Sequence, residues 1–425
     1  MQSFLSYRGG AIFGIQSDNC SCLTTADHGT IPGWVGKPVQ GGTMSVRTIS
    51  LFLAAAALLF LGDSGLVMGQ TEAEPSPTPS PKKITARQIL EATFAKTSAA
   101  KTVDDFSEVI EQCERVLGVK LSPENSEYAH QLAAWGYNRR GEAYAQEAAT
   151  LAEKGEERKA NELDEVALAD FESALAHDPK KWKAVQNRGV SLALRGRTDE
   201  AIADFDKVIE LNPKYESAWF NRAELLSKQG KYAEAAEDYG ETLKLKPDDL
   251  GALFGRGNAQ LRLRKFRPAL KDFSRALQIE PESPHALVGR GDVRSEIGQW
   301  EEAAEDYRRA LKLNPKFGRA YRGAAWLMAT CPEERLRDAE LAVDSARQAL
   351  ALDGNGDYAY LDTLAAALAN AGEFEDAKSA QEKAIQIAPD AATTELRARL
   401  TLYRSGQPFR TTSRTARGET AAESR

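Results

Sequence analysis

Side chains suited to chemistry are few and scattered in this sequence of 425 residues, which holds four histidines and four cysteines. Cys20 and Cys22 form a C-x-C pair with no second ligand pair near it, so the tetrahedral set that zinc demands is not assembled. Asp353-Gly-Asn-Gly-Asp357 opens like a calcium loop. Tyr358, however, stands where the sharp-turn glycine belongs and Leu364 where the bidentate glutamate belongs, which leaves a connecting turn. His130, His177 and His285 lie far apart along the chain with no Cys or second His beside them, and read as helix-surface residues. Carboxylate pairs such as Glu301-Glu302 belong to polar helix faces. G-x-S-x-G, H-E-x-x-H, C-x-x-C and a phosphate loop are all missing, so no catalytic residue, metal or cofactor is expected.

Composition narrows the class further. With 42% hydrophobic, 28% charged and 8% aromatic residues, the chain suits a helix-rich soluble body and not a collagen, a disulfide scaffold or a polytopic membrane protein. A net charge of −7 argues against a dedicated nucleic-acid binder, whose affinity comes mainly from basic patches. Cys113 and Cys331, more than two hundred residues apart, read as buried small residues and not as a disulfide.

Both ends differ from the middle. Leu51–Leu61 (LFLAAAALLFL) follows Arg47 and precedes Val67-Met-Gly69, the layout of a secretory signal peptide over 44–69 with cleavage before Gln70. Asp63 cuts the apolar run short of the ~20 residues that a spanning helix requires, so no membrane span is expected after cleavage. An uncleaved anchor is the alternative. Residues 1–43 then read as a mis-assigned extension, with translation starting at Met44. Residues 70–83 contain alternating Pro and Ser and form a stiff spacer, while 404–425, with five Arg against two Glu, reads as a solvated, mobile, basic tail.

Between these ends the chain repeats every 34 residues. Pro213, Pro247, Pro281 and Pro315 keep that step, as do Phe205, Tyr239, Phe273 and Tyr307. So do Ala201, Ala235, Ala269 and Ala303, and Gly189, Ala223, Gly257 and Gly291. The small columns permit close crossing of two antiparallel helices, the aromatic column fills the space between hairpins, and each proline stops a second helix. Glycines at Gly196, Gly230 and Gly298 supply the turn inside each hairpin. A single helix–turn–helix unit cannot bury its apolar face alone and must stack.

The spacing small–x11–Ala–x3–aromatic–x2–Ala–x4–Pro resembles the tetratricopeptide repeat. The resemblance implies an all-α, right-handed superhelix of about seven helical hairpins, with a degenerate N-terminal cap and a C-terminal end helix. Four units are in full register at 182–215, 216–249, 250–283 and 284–317. Flanking units are expected at 134–181 (with some fourteen extra residues around 148–164), 318–357 (with a five-residue insertion holding Thr330-Cys-Pro332) and 358–391. A capping hairpin over 84–133 and an end helix over 392–403 complete the array.

A second ladder runs through it. Arg188, Arg222, Arg256 and Arg290 recur at the 34 step, as do Asp170, Asp204, Asp238, Asp272 and Asp306. Where the Arg becomes Ala324 the Asp position holds Ser345, and where it becomes Leu364 that position holds Ala380. Loss in step predicts that each Arg grips an Asp on a neighbouring helix.

By resemblance to the family, the first helix of each hairpin lines a concave groove. Here those positions are Gln186, Asn187, Phe220, Asn221, Glu224, Lys228, Phe254, Asn258, Arg262, Asp292, Glu296, Arg319, Arg322 and Trp326. Exposed Phe and Trp among amides and charges suit an extended peptide or partner helix. The chaperone-type carboxylate clamp is missing, and the asparagine ladder of O-linked N-acetylglucosamine transferase breaks after Asn187 and Asn221 at Gly255 and Gly289. The expected function is therefore a non-catalytic scaffold or adaptor for a protein or peptide partner, exported to the periplasm or cell envelope. An accessory subunit of an envelope enzyme complex is the alternative.

Overall fold

The structure is a computed structural model and describes residues 85–353 and 356–412. The expected extension (1–43), signal peptide (44–69), spacer (70–83) and end of the tail (413–425) lie outside the described residues. Among those described, seventeen α-helices and no strand occur, and no helix is long and apolar enough to cross a membrane.

The N-terminal part comprises α1 (Ala86–Thr97), α2 (Val103–Leu117), α3 (Pro123–Glu153) and α4 (Glu157–His177). The in-register units are α5 (Trp182–Leu194) with α6 (Thr198–Leu211), α7 (Glu216–Lys228) with α8 (Tyr232–Leu245), α9 (Leu250–Arg262) with α10 (Phe266–Ile279), and α11 (Pro284–Glu296) with α12 (Trp300–Leu313). The C-terminal part contains α13 (Gly318–Thr330), α14 (Ala339–Asp353), α15 (Tyr358–Asn370), α16 (Phe374–Ile387) and α17 (Asp390–Arg404). Each helix packs on the next in sequence. In addition α7, α9, α11 and α13 touch one another in succession, so the first helices of the hairpins build one continuous inner face.

Each column has a visible cause. Phe205, Phe273 and Tyr307 are fully or nearly fully buried, and each is squeezed by its own hairpin's glycine: a Cβ on Gly189, Gly257 or Gly291 would come within 2.9 Å of the ring. The next hairpin closes the other side. A Cβ on Gly255, Gly289 or Gly323 would sit 2.3–2.5 Å from Tyr239, Phe273 or Tyr307. The aromatic is thus a wedge between two hairpins whose backbones must stay bare. Gly196, Gly230, Gly298 and Gly372 adopt φ of 75–83° in the turns, the left-handed region that a Cβ disfavours. In the one in-register unit without that glycine, Arg264 holds φ 59° itself.

Two expected boundaries change. The division at 133/134 between capping hairpin and first unit falls inside α3, one helix of 31 residues. It packs on both α2 and α4 along its length. The residues inserted around 148–164 lengthen α3 and α4 and do not form a loop. The tail, expected to be solvated from 404 onward, folds back on the solenoid through Thr411. Cys113 and Cys331 are both buried free thiols, and burial pushes the Cys113 thiol up to about 12.

Candidate partner-binding face

The arginine ladder forms inside each hairpin. Nε and Nη2 of Arg188, Arg222, Arg256 and Arg290 donate to both carboxylate oxygens of Asp204, Asp238, Asp272 and Asp306 at 2.6–2.9 Å, and Arg140 grips Asp170 likewise. All five aspartates are buried. Burial raises the Asp238 carboxyl while the Arg222 guanidinium pulls it back. These arginines are committed to the frame.

The inner face is more self-contained than its sequence suggests. Phe220, expected as an exposed anchor, is only 8% exposed: it packs against Tyr239 at 5.8 Å and lies under Gly251, whose missing Cβ leaves it room. Gln186, Asn187 and Asn221 are buried too, which corrects their placement on an open groove. Asn187 donates to Asn138 Oδ1 and Glu142 Oε1 at 3.0 and 3.1 Å. Gln186 Oε1 has no hydrogen-bond partner among the described residues. Phe254 is half-buried, packed against the cores on either side of it.

The remaining positions form a line of polar contacts. Glu224 accepts from the Tyr239 hydroxyl, and burial raises its carboxyl while also lowering the nearby Lys228 ammonium. Arg319 donates to Asn258 Oδ1 at 3.2 Å and Asp292 Oδ2 at 2.9 Å, so one guanidinium links three hairpins. Asp292 also accepts from the Tyr307 hydroxyl at 2.8 Å. Arg322 lies over the Tyr360 ring and the exposed Arg262 over Tyr232. Glu296 is half-buried. Trp326 is half-buried because Phe409 of the chain's own tail packs on it at 5.9 Å.

Reading of the sequence missed two features. His130 and His177, placed on separate surfaces by their spacing, meet with their Nδ1 atoms 2.9 Å apart, and His177 Nε2 lies 2.9 Å from Glu114. Packing of the long α3 against α4 creates this contact, and no period reports it. The acid–tyrosine pairs were visible in principle, since Glu224 and Asp292 each precede a Tyr by fifteen residues, where Val190 and Asn258 precede a Phe.

Tetratricopeptide-repeat models match residues 217–249, 255–316, 288–329 and 359–388, and a TPR-repeat model matches 189–230. No curated protein matched the chain. Among solved structures, a tetratricopeptide-repeat protein from Parabacteroides merdae is 19% identical over 62% of this chain and 98% of its own, with a TM-score of 0.48. A thermophilic TPR protein of Thermus thermophilus is 22% identical over 45% and 99% (TM-score 0.38), and yeast Tom70 is 16% identical over 78% and 66% (TM-score 0.38). The matched repeats fall on α5 to α13 and on α15–α16, and the wedge and rung recur in every hairpin from α5 to α12, as stacked two-helix units require. On that evidence the chain is a tetratricopeptide-repeat protein.

Proposed function

We propose that this chain is a non-catalytic scaffold that captures an extended segment of a partner protein along the inner face built by α7, α9, α11, α13 and α15. The observation that carries the reading is the line of half-buried and exposed side chains on that face: Lys228, Phe254, Asn258, Arg262, Glu296, Arg319 and Arg322. Aliphatic stems and rings offer area, while guanidinium and amide groups can exchange their mutual contacts for main-chain carbonyls of a guest. Buried Phe220 contributes only stiffness. The segment 44–69, with its LFLAAAALLFL core, supports a place of action outside the cytoplasm.

The test uses the full chain beside an Arg262→Glu/Glu296→Lys variant in a pull-down from an envelope extract. Both positions lie outside the Arg–Asp rungs and the buried core, so the variant should stay folded, which a thermal melt checks. A partner kept by the native chain and lost by the variant is the expected result. Equal capture by both would move binding to the convex face and refute the groove.

A further inference from the structure

Hairpin α13–α14 departs from the others at the point where its first helix ends. In α5 and α7 the chain leaves the helix through a left-handed glycine, and the following amides cap the last turn: Gly230 N donates to Ser227 O and Lys231 N to Leu226 O. In α13 that glycine is replaced by Thr330-Cys331-Pro332. Cys331 turns extended at ψ 133°, and Pro332 has no N–H to give. The carbonyls of Ala329 and Thr330 are left facing outward at the negative end of the helix.

A peptide segment of this chain sits on them. Gly406, at φ 69°, closes α17, with Gln407 N donating to Leu402 O, and sends the chain back across α15 to α13. Phe409 lies on Trp326, with the Arg399 guanidinium over both rings at 5.4–5.6 Å and itself held by Asp362. Arg410 donates to Ala329 O at 3.0 Å and to Asn370 Oδ1 at 2.9 Å. Thr411 gives its amide to Thr330 O at 2.8 Å and its hydroxyl to the Thr330 hydroxyl at 2.7 Å. The contact is shallow: Pro408 to Thr411 remain half-buried, while Leu396, Leu400 and Tyr403 of α17 are buried.

We propose that the end of α13, with Trp326, Thr330, Asn370 and Arg399, is a binding site for an extended partner segment carrying an aromatic residue followed by arginine, and that residues 407–412 hold it closed as an internal competitor. This rests on the inner face being a capture surface, and adds to it both the class of guest and the device that withholds it. A tethered competitor acts at an effective concentration in the millimolar range, so a partner displaces it only with further contacts along the face or after the tail is released.

The experiment uses the full chain and a labelled peptide of the sequence Gly406–Thr412, read by fluorescence anisotropy up to about 1 mM protein. A Phe409→Ala/Arg410→Ala variant opens the site in place. It should bind the peptide at least about ten-fold more tightly than the native chain. Binding should fall when Trp326→Ala is added, and when the peptide itself carries Ala for its Phe or its Arg. Thr411→Pro, which removes one amide donor and spares the other side chains, should shift binding in the same direction. Equal uptake by native and opened chains, or none by opened chains that melt like the native one, would overturn the proposal. Either result, together with partner loss in Arg262→Glu/Glu296→Lys, would leave the middle of the face as the capture surface and make the tail a strap. Peptide binding with no effect of those charge reversals would do the opposite.

Discussion

From α5 to α12 every hairpin joins its two helices by an arginine gripping a buried aspartate at 2.6–2.9 Å; in α13–α14 and α15–α16 that rung is gone and uncharged residues stand in its place. The C-terminal pairs close on a core rich in alanine: Ala325, Ala329, Ala342, Ala346, Ala365, Ala369 and Ala377. The buried charge there is Asp362 of α15, held by Arg399 of the end helix α17 and by Gln381 of its own hairpin's α16. A buried ion pair brings little net stability over well-packed apolar groups, yet breaking one half of it is costly. The paired loss at Ala324/Ser345 and Leu364/Ala380 follows that asymmetry.

The comparison breaks hardest at a single rung. Arg222→Ala strands the buried Asp238 carboxylate and should lower stability by about 3 kcal/mol. Arg222→Ala with Asp238→Ser reproduces the pairing that α13–α14 uses at Ala324/Ser345, and should recover at least about 1 kcal/mol of that loss. Equilibrium urea unfolding of the two variants decides it. A double variant no better than the single would mean that the rung carries register in a way that small residues cannot replace.

Next in size is the wedge. Gly289→Ala puts a Cβ 2.4 Å from the Phe273 ring, which Gly257 already confines from the other side. Overpacking should outweigh the gain in helix propensity by ~2 kcal/mol. Gly240→Ala on α8, with nothing nearer than Arg256 Nη1 at 3.8 Å, should instead stabilise by ~0.5–1 kcal/mol. Two Gly→Ala changes of opposite sign in thermal melts would tie the small column to the wedge and not to helix formation.

What could be read from the sequence was whatever recurs. The wedge, the turn glycines and the rung are demanded once per hairpin, so their columns are visible at the 34 step, and the rung's partners could be inferred because they vanish together at Ala324/Ser345. The inner face was legible as a list of positions and not as exposure. Phe220 is hidden because Gly251, on the following hairpin, lacks a side chain, and Trp326 is half-covered because Phe409 returns to it; both depend on residues outside the unit being read. Composition alone described residues 404–412 as solvated, since one phenylalanine and two arginines among polar residues carry no pattern. His130 and His177 meet because α3 is continuous through Ala133-Ala134, where a hairpin boundary was expected.

Arg264 sharpens the comparison between the turns. The other in-register hairpins place glycine where it holds φ 59°, and it reaches Glu395 of α17 at 3.2 Å across 131 residues. A non-glycine residue in that region costs on the order of 1 kcal/mol, and an exposed pair returns ~0–1 kcal/mol. Arg264→Gly should therefore raise the melting temperature slightly, and Gly298→Arg, placing the same residue in the next turn without a distant carboxylate, should lower it. A drop for Arg264→Gly would show that the bridge to α17 outweighs the backbone strain.

The smallest effect separates two acid–tyrosine pairs on the inner face. Asp292 accepts from Tyr307 and is also held by Arg319; Glu224 accepts from Tyr239, with the exposed Lys228 to offset its charge. Burial raises the Glu224 carboxyl, so folding favours its protonated form. Its contribution is therefore full below the unfolded value near 4.5 and is lost as pH rises through the folded one. Glu224→Gln keeps an acceptor for the Tyr239 hydroxyl without the buried charge, and should be the more stable chain at pH 7 by ~0.5 kcal/mol. That advantage should shrink to nothing as pH falls below 4.5. Asp292→Asn should do the reverse at pH 7, because it takes the carboxylate away from Arg319. Urea midpoints for both variants across pH 4–7 measure this; a pH-independent gain for Glu224→Gln would locate its cause in packing, not in the charge.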